Sequence, residues 1–210
     1  MDAADWNARY DTAELIWKGD PNQFLPAEVA ELPVGTALDL ACGEGRNAVW
    51  LATRGWRVTG VDFAEVGLAK AARLASDHGV EGTWITADAT EWTPPAEGFD
   101  LVIIFYLQLP AAELARALRT AVAALAPGGT LLLVAHDLLN LTEGVGGPQD
   151  AAVLTTAEAV VDGLAAAELA LGCELVIERS GRLERVVTTP EGDRTALDTI
   201  VRARRMDAGV

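Results

Sequence analysis

The stretch Leu38-Asp39-Leu40-Ala41-Cys42-Gly43-Glu44-Gly45-Arg46-Asn47-Ala48 decides the fold. Before it, Thr36–Leu40 is a short apolar run with strand character. After it, Arg46–Arg54 has helical spacing and stops at Gly55. Gly43 and Gly45 permit a tight strand-to-helix turn and let a ligand approach the backbone. The spacing Gly43-x-Gly45-x-x-Ala48 also fits the G-x-G-x-x-A loop that cradles a pyrophosphate. Its neighbours argue against phosphate, because Asp39 and Glu44 would repel it. A ligand carrying a sulfonium or an ammonium group suits these acids better.

Working outward, short apolar runs alternate with amphipathic stretches. Trp56–Val61, Thr83–Thr86, Asp100–Tyr106 and Thr130–Ala135 read as strands. Glu65–His78 and Ala111–Ala126 read as helices, the second ended by Pro127-Gly128-Gly129. Apolar runs without alternation are buried on both faces, as in a parallel sheet covered by helices. Near the C-terminus, Glu174–Glu178 and Thr195–Arg202 are strand-like. The segment between them carries Pro190 and Gly192 and no helical pattern, so the two strands pair antiparallel. The expected fold is α/β: a doubly wound, mostly parallel, seven-stranded Rossmann-like sheet with a C-terminal antiparallel hairpin. Residues 1–33, with Trp6, Tyr10, Trp17 and Phe24, form an N-terminal arm or lid, and 34–210 form the ligand-binding domain. Residues 136–153 read as a long glycine-rich loop leaving the end of a strand.

Composition narrows the function. The chain has 210 residues, half of them apolar, which fits one domain with a real core. Its net charge of −15 opposes nucleic-acid and anionic membrane partners. No apolar run approaches the roughly 18 residues of a membrane span, and no secretory signal is visible. With only Cys42 and Cys173, and only His78 and His136, no metal site is expected and a reducing, cytoplasmic compartment is the simplest setting. Cys42 reads as a small space-filling residue, and His78 as a cation at a helix end.

Further motifs follow the glycine loop in order. Asp62 ends a strand, where an acid can accept both ribose hydroxyls or simply cap a helix. Asp88 and Ala89 follow a short strand, where a carboxylate and a backbone N–H can meet an adenine edge or simply form a turn. Together with Phe-Asp-Leu-Val at 99–102 and Pro-Gly-Gly at 127–129, the series resembles the class I S-adenosyl-L-methionine (SAM)-dependent methyltransferases. The motifs span about 100 residues. Gly45-Arg46-Asn47 and Trp6-x-x-x-Tyr10 are similar to the tellurite-resistance and thiopurine methyltransferase branch.

That resemblance implies SAM as cofactor and S-adenosyl-L-homocysteine (SAH) as product. Asp39, Ala41, Gly43 and Gly45 would surround the methionine moiety, and Asp62 would hold the ribose. Phe63 would lie on the adenine face, and Asp88 and Ala89 at its edge. Phe105 would offer its ring to the sulfonium. The implied acceptor is a small molecule, such as a thiol or a selenium or tellurium oxyanion.

Candidate catalytic residues stand where strand ends point: Tyr106 and Gln108, then His136, Asp137 and Asn140. His136 has the right ordinary pKa, about 6.5, to take a proton near neutrality. Arg46 heads a helix, where it can neutralise an anionic acceptor or pair with Glu44. Two other readings stay open: an NAD(P)-binding oxidoreductase, which lacks a Tyr-x-x-x-Lys pair here, and a non-catalytic SAM-binding regulator. A monomer and a homodimer are both compatible with the sequence.

Overall fold

The computed structural model describes residues 3–12, 14–15 and 19–206. The chain runs α1 (Ala3–Tyr10), α2 (Leu25–Val29), β1 (Thr36–Leu40), α3 (Arg46–Thr53), β2 (Arg57–Asp62), α4 (Glu65–Asp77) and β3 (Gly82–Thr86). It continues through β4 (Phe99–Phe105), α5 (Ala111–Ala123), β5 (Leu125–His136), α6 (Asn140–Glu143), α7 (Ala157–Leu171), β6 (Leu175–Thr189) and β7 (Gly192–Arg205). The strands make one seven-stranded sheet in the order β3-β2-β1-β4-β5-β7-β6. Strands β1 to β5 are parallel, and β7 runs antiparallel to both β5 and β6. This is the expected fold.

The apolar strands feed two cores, one on each face, because successive side chains point to opposite sides. On one face, Val102 and Ile104 of β4 and Leu131 and Leu133 of β5 pack against Leu118 of α5 and Val160 and Leu164 of α7. On the other, Leu101, Ile103, Leu132 and Val134 meet Ala48 and Leu51 of α3 and Leu25 and Val29 of α2. The strand order reverses between β1 and β4, and ligands bind α/β sheets at the carboxyl ends flanking such a switch.

Three details differ from expectation. β5 begins at Leu125 and runs through Pro127-Gly128-Gly129, because Phe99 pairs with Leu125 before the register shifts. The glycine-rich stretch 136–153 contains α6 and a 3-10 turn at Ala151–Val153. It is tied back to β7 by the Val145 N–H donating to the Thr195 carbonyl. The C-terminal hairpin is much longer than its expected strands, reaching Thr189 and resuming at Gly192.

Candidate active site

A cavity of about 380 Å³ opens at the carboxyl ends of β1, β2, β4 and β5. Two of its wall residues, Ala41 and Tyr106, are the non-glycine residues of the described chain with positive φ, 64° and 55°. Such backbone costs about 1–3 kcal/mol each and concentrates at functional sites.

At the glycine-loop end, backbone N–H groups meet buried acids. Asp62 Oδ2 accepts the Gly43 N–H at 2.8 Å, and Oδ1 accepts the Ala64 N–H at 2.8 Å. Burial raises the Asp62 carboxyl above the usual range. Asp39 Oδ2 accepts the Ala48 N–H at 3.2 Å, capping α3 from inside β1 because Gly45 has no side chain to do so. Burial pushes the Asp39 carboxyl up to about 7, against the opposing pull of that N–H. A cationic ligand would restore its charge.

Gly43 and Gly45 are required by positive φ, but protein groups occupy their open sides. A Cβ on Gly43 would stand 2.6 Å from the Tyr10 hydroxyl, and one on Gly45 would stand 2.5 Å from the Ala71 Cβ of α4. Tyr10 therefore closes α1 down onto the loop, with its hydroxyl kept protonated by burial and by Asp62 and Glu44. The Val66 N–H donates to Asn7 Oδ1. Lys70 of α4 donates to buried Glu44 at 2.9 Å, to Thr12 Oγ1 at 3.2 Å and to the Glu14 carbonyl at 2.8 Å. The arm is thus bound to the loop it covers. Trp6 and Tyr10 line the cavity; Trp17 lies outside the described residues.

At the opposite end stand Tyr106, His136 and Arg185, and Arg46, the residue after Gly45, lies between the two ends, near both Asp39 and Tyr106. The Tyr106 ring lies 4.5 Å from the His136 ring, centroid to centroid. Burial, and next to it the Asp198 carboxylate, pushes the Tyr106 hydroxyl up to about 12. Burial also lowers the Arg46 guanidinium from its ordinary value.

Of the residues expected from sequence, Asp39, Ala41, Gly43, Asp62, Phe63 and Phe105 line the cavity, as do Arg46, Tyr106, Gln108 and His136. Gly45, Asp88, Ala89 and Asp137 are not among its lining residues. Gly45 packs under α4. Asp88 Oδ1 accepts the Thr90 N–H at 2.7 Å and holds a turn. It stays near Asp62, whose carbonyl accepts the Ala87 N–H. Asp137 is buried and structural: Oδ2 accepts the Thr199 hydroxyl, while Oδ1 takes the Leu139 N–H and lies 2.9 Å from Arg182 Nε. Asn140 braces the loop, accepting from Leu197 N–H and donating to the Gly146 carbonyl. Cys42 borders the cavity, but burial raises its thiol far above the range of a nucleophile.

Sequence reasoning missed Asn22, Asn47 and Arg185. The Asn22 N–H donates to Asn47 Oδ1 at 2.8 Å, pinning the 21–23 loop over the cavity. Arg185 fell inside what read as a connection; the β-branched run Val186-Val187-Thr188-Thr189 was the signal that the strand continues.

Residues 37–129 match the family model described as a methyltransferase domain. The matched stretch holds the glycine loop, Asp62 and β4, the elements that build the glycine-loop end of the cavity. It is 36% identical over 124 residues to trans-aconitate 2-methyltransferase of Rhizobium meliloti, covering 57% of this chain and 46% of that protein. The chain spans about half the length of the curated relatives it matches. Among solved structures, the N-methyltransferase NodS of Bradyrhizobium japonicum, in complex with SAH, superposes with a TM-score of 0.70 at 18% identity, covering 97% of each chain. A structure from work on converting a disulfide bond into a thioacetal group during echinomycin biosynthesis superposes with a TM-score of 0.76 at 23% identity. It covers 99% of this chain and 93% of that one. The residues at the glycine-loop end fit a cationic nucleoside such as SAM: buried Asp39 and Asp62 stand there for an ammonium and a ribose.

Proposed function

We propose that this protein transfers the methyl group of SAM to a small-molecule acceptor, with thiols and selenium or tellurium oxyanions as the acceptor classes to test first. The observation that carries this is one covered cavity with two chemically distinct ends. The acids and the glycine loop suit a cationic nucleoside, and the small remaining volume suits a small acceptor. The net charge of −15 opposes a polyanionic one.

Asp39 faces the ammonium, Asp62 the ribose hydroxyls, and Asp88 and Ala89 the adenine edge. Phe63 lies on the adenine face, and the Phe105 ring faces the sulfonium. Residues 1–33 act as a lid that excludes water. The acceptor's lone pair attacks the methyl carbon in line as the carbon–sulfur bond breaks. That bond's electrons return to sulfur, giving the neutral thioether of SAH. His136 takes the acceptor's proton where it has one. Arg46 and Arg185 favour an acceptor that carries a negative charge away from the atom facing His136.

Calorimetric titration with SAH, and separately with NADH and NADPH, tests the cofactor. Micromolar SAH binding alone supports the reading; binding of a nicotinamide nucleotide alone overturns it. Labelled methyl transfer to a panel of thiols and selenium and tellurium oxyanions then tests catalysis. Binding with no transfer to any acceptor class favours a regulator.

A further inference from the structure

Behind the cavity wall, three lining residues converge on one acid that is not itself in the wall. Asp198 is fully buried on β7 and is the cross-strand partner of His136 on β5. Its Oδ2 accepts the Tyr106 hydroxyl at 2.9 Å and Arg185 Nε at 2.7 Å. Its Oδ1 lies 3.3 Å from His136 Nδ1. Those two atoms are both buried, and neither has a hydrogen-bond partner.

A buried donor and a buried acceptor left unmade are rare, and here they face each other. The distance is within reach of a hydrogen bond, so a small ring rotation closes it. Nδ1 is also walled in on other sides. A Cβ on Gly147 would stand 3.1 Å from it, and the Tyr106 ring lies against the imidazole at a tilt of 35°. This leaves Nε2 as the nitrogen that can serve the cavity. Asp198 and Tyr106 face the ring, Arg185 meets both of them, and buried Asp137 is the next residue in the chain. The surroundings also favour an ionised Asp198: burial opposes its charge, but the nearby His136 ring and the hydrogen bonds from Arg185 and Tyr106 hold its carboxyl below the usual range.

We infer that Asp198 is the positioning residue of this site, fixing His136 as the Nδ1–H tautomer and leaving the Nε2 lone pair to take a proton from the acceptor. What Nε2 does rests on the methyl-transfer reading; the tautomer does not. The acceptor then arrives protonated, as a thiol does. Its proton passes to Nε2, its lone pair forms the bond to the methyl carbon, and the imidazolium produced faces the Asp198 carboxylate. A lone pair at Nε2 would repel a bare oxyanion.

Nitrogen-15 NMR of the histidine rings tests this. The chain has two histidines, so His78→Gln leaves His136 as the only signal. At a pH about two units above the ordinary histidine value, the SAH-saturated protein is expected to show a protonated Nδ1 and an unprotonated Nε2. Asp198→Ala is expected to move the proton wholly or partly to Nε2 and to lower kcat with a small thiol acceptor on the order of 100-fold, with SAH binding unchanged. A protonated Nε2 in the parent protein overturns the proposal, as does a tautomer that ignores Asp198→Ala. If Asp198→Ala fails to fold, Asp198→Asn replaces it: an amide there can donate to Nδ1, and an unmoved Nδ1 proton overturns the proposal. If the parent protein does not bind SAH, the methyltransferase reading falls, while the tautomer is still decided by the spectrum.

Discussion

Ala37-Leu38-Asp39 and Ala196-Leu197-Asp198 are the same three residues in two strands, one at each end of the cavity. Both acids are buried, yet their carboxyls move in opposite directions. Asp39 receives one backbone N–H and has Asp62 nearby, so burial wins and pushes it up to about 7. Asp198 has Arg185, His136 and Tyr106 around it, and these outweigh burial. The burial of an acid alone does not set its charge; the company it keeps does. The first end is built on backbone N–H groups from residues close in sequence, whereas the second is built on side chains from three strands and from the residue that follows β4.

If the two ends are separable, substitutions should divide between catalysis and binding. His136→Ala should have the largest effect, lowering kcat about 10²- to 10⁴-fold with SAH affinity unchanged. Single-turnover kinetics and calorimetry check both halves, and loss of SAH binding would merge the two ends. Asp62→Ala should weaken SAH binding about 100-fold, near 2.7 kcal/mol, because it frees the Gly43 and Ala64 N–H groups together with the ribose contact.

Asp39 gives a pH signature. Its folded carboxyl protonates near 7. SAH affinity should therefore fall as pH drops from 8 to 6, by about tenfold, and Asp39→Asn should flatten that slope. The stability of the free protein should move the other way. The unfolded chain gives up this proton first, so stability declines as pH rises from the ordinary carboxylate range to about 7 and then levels. The smallest effect is expected at Asp88. With one oxygen committed to the Thr90 N–H, Asp88→Ala should cost about 1 kcal/mol of stability and only a few-fold in SAH affinity. A large affinity loss there would extend the first end out to β3.

The first end was legible in the sequence because its function is local. Glycines at fixed spacing, a lone acid in an apolar strand and an acid ending the next strand can be recognised without knowing what they touch. The fold was legible for the same reason, since each apolar run and each stop signal acts within a few residues. The second end was not. Asp198 carries the same signal as Asp39, a single acid in an apolar strand, but nothing adjacent shows that β7 folds back beside β5. Asp137 is next to His136 in sequence, yet its neighbour's side chain enters the cavity while its own turns to Thr199 and Arg182. α7 gave no sequence expectation, because Ala-rich AEAVVDGLAAAELAL has little contrast between its faces.

The seam between β5 and β7 has a consequence for inheritance. The matched family region stops at residue 129, before His136, Arg185 and Asp198. The second end of the cavity is therefore built by chain beyond the matched region and hung on that seam, so likeness within 37–129 carries no information about what this end accepts.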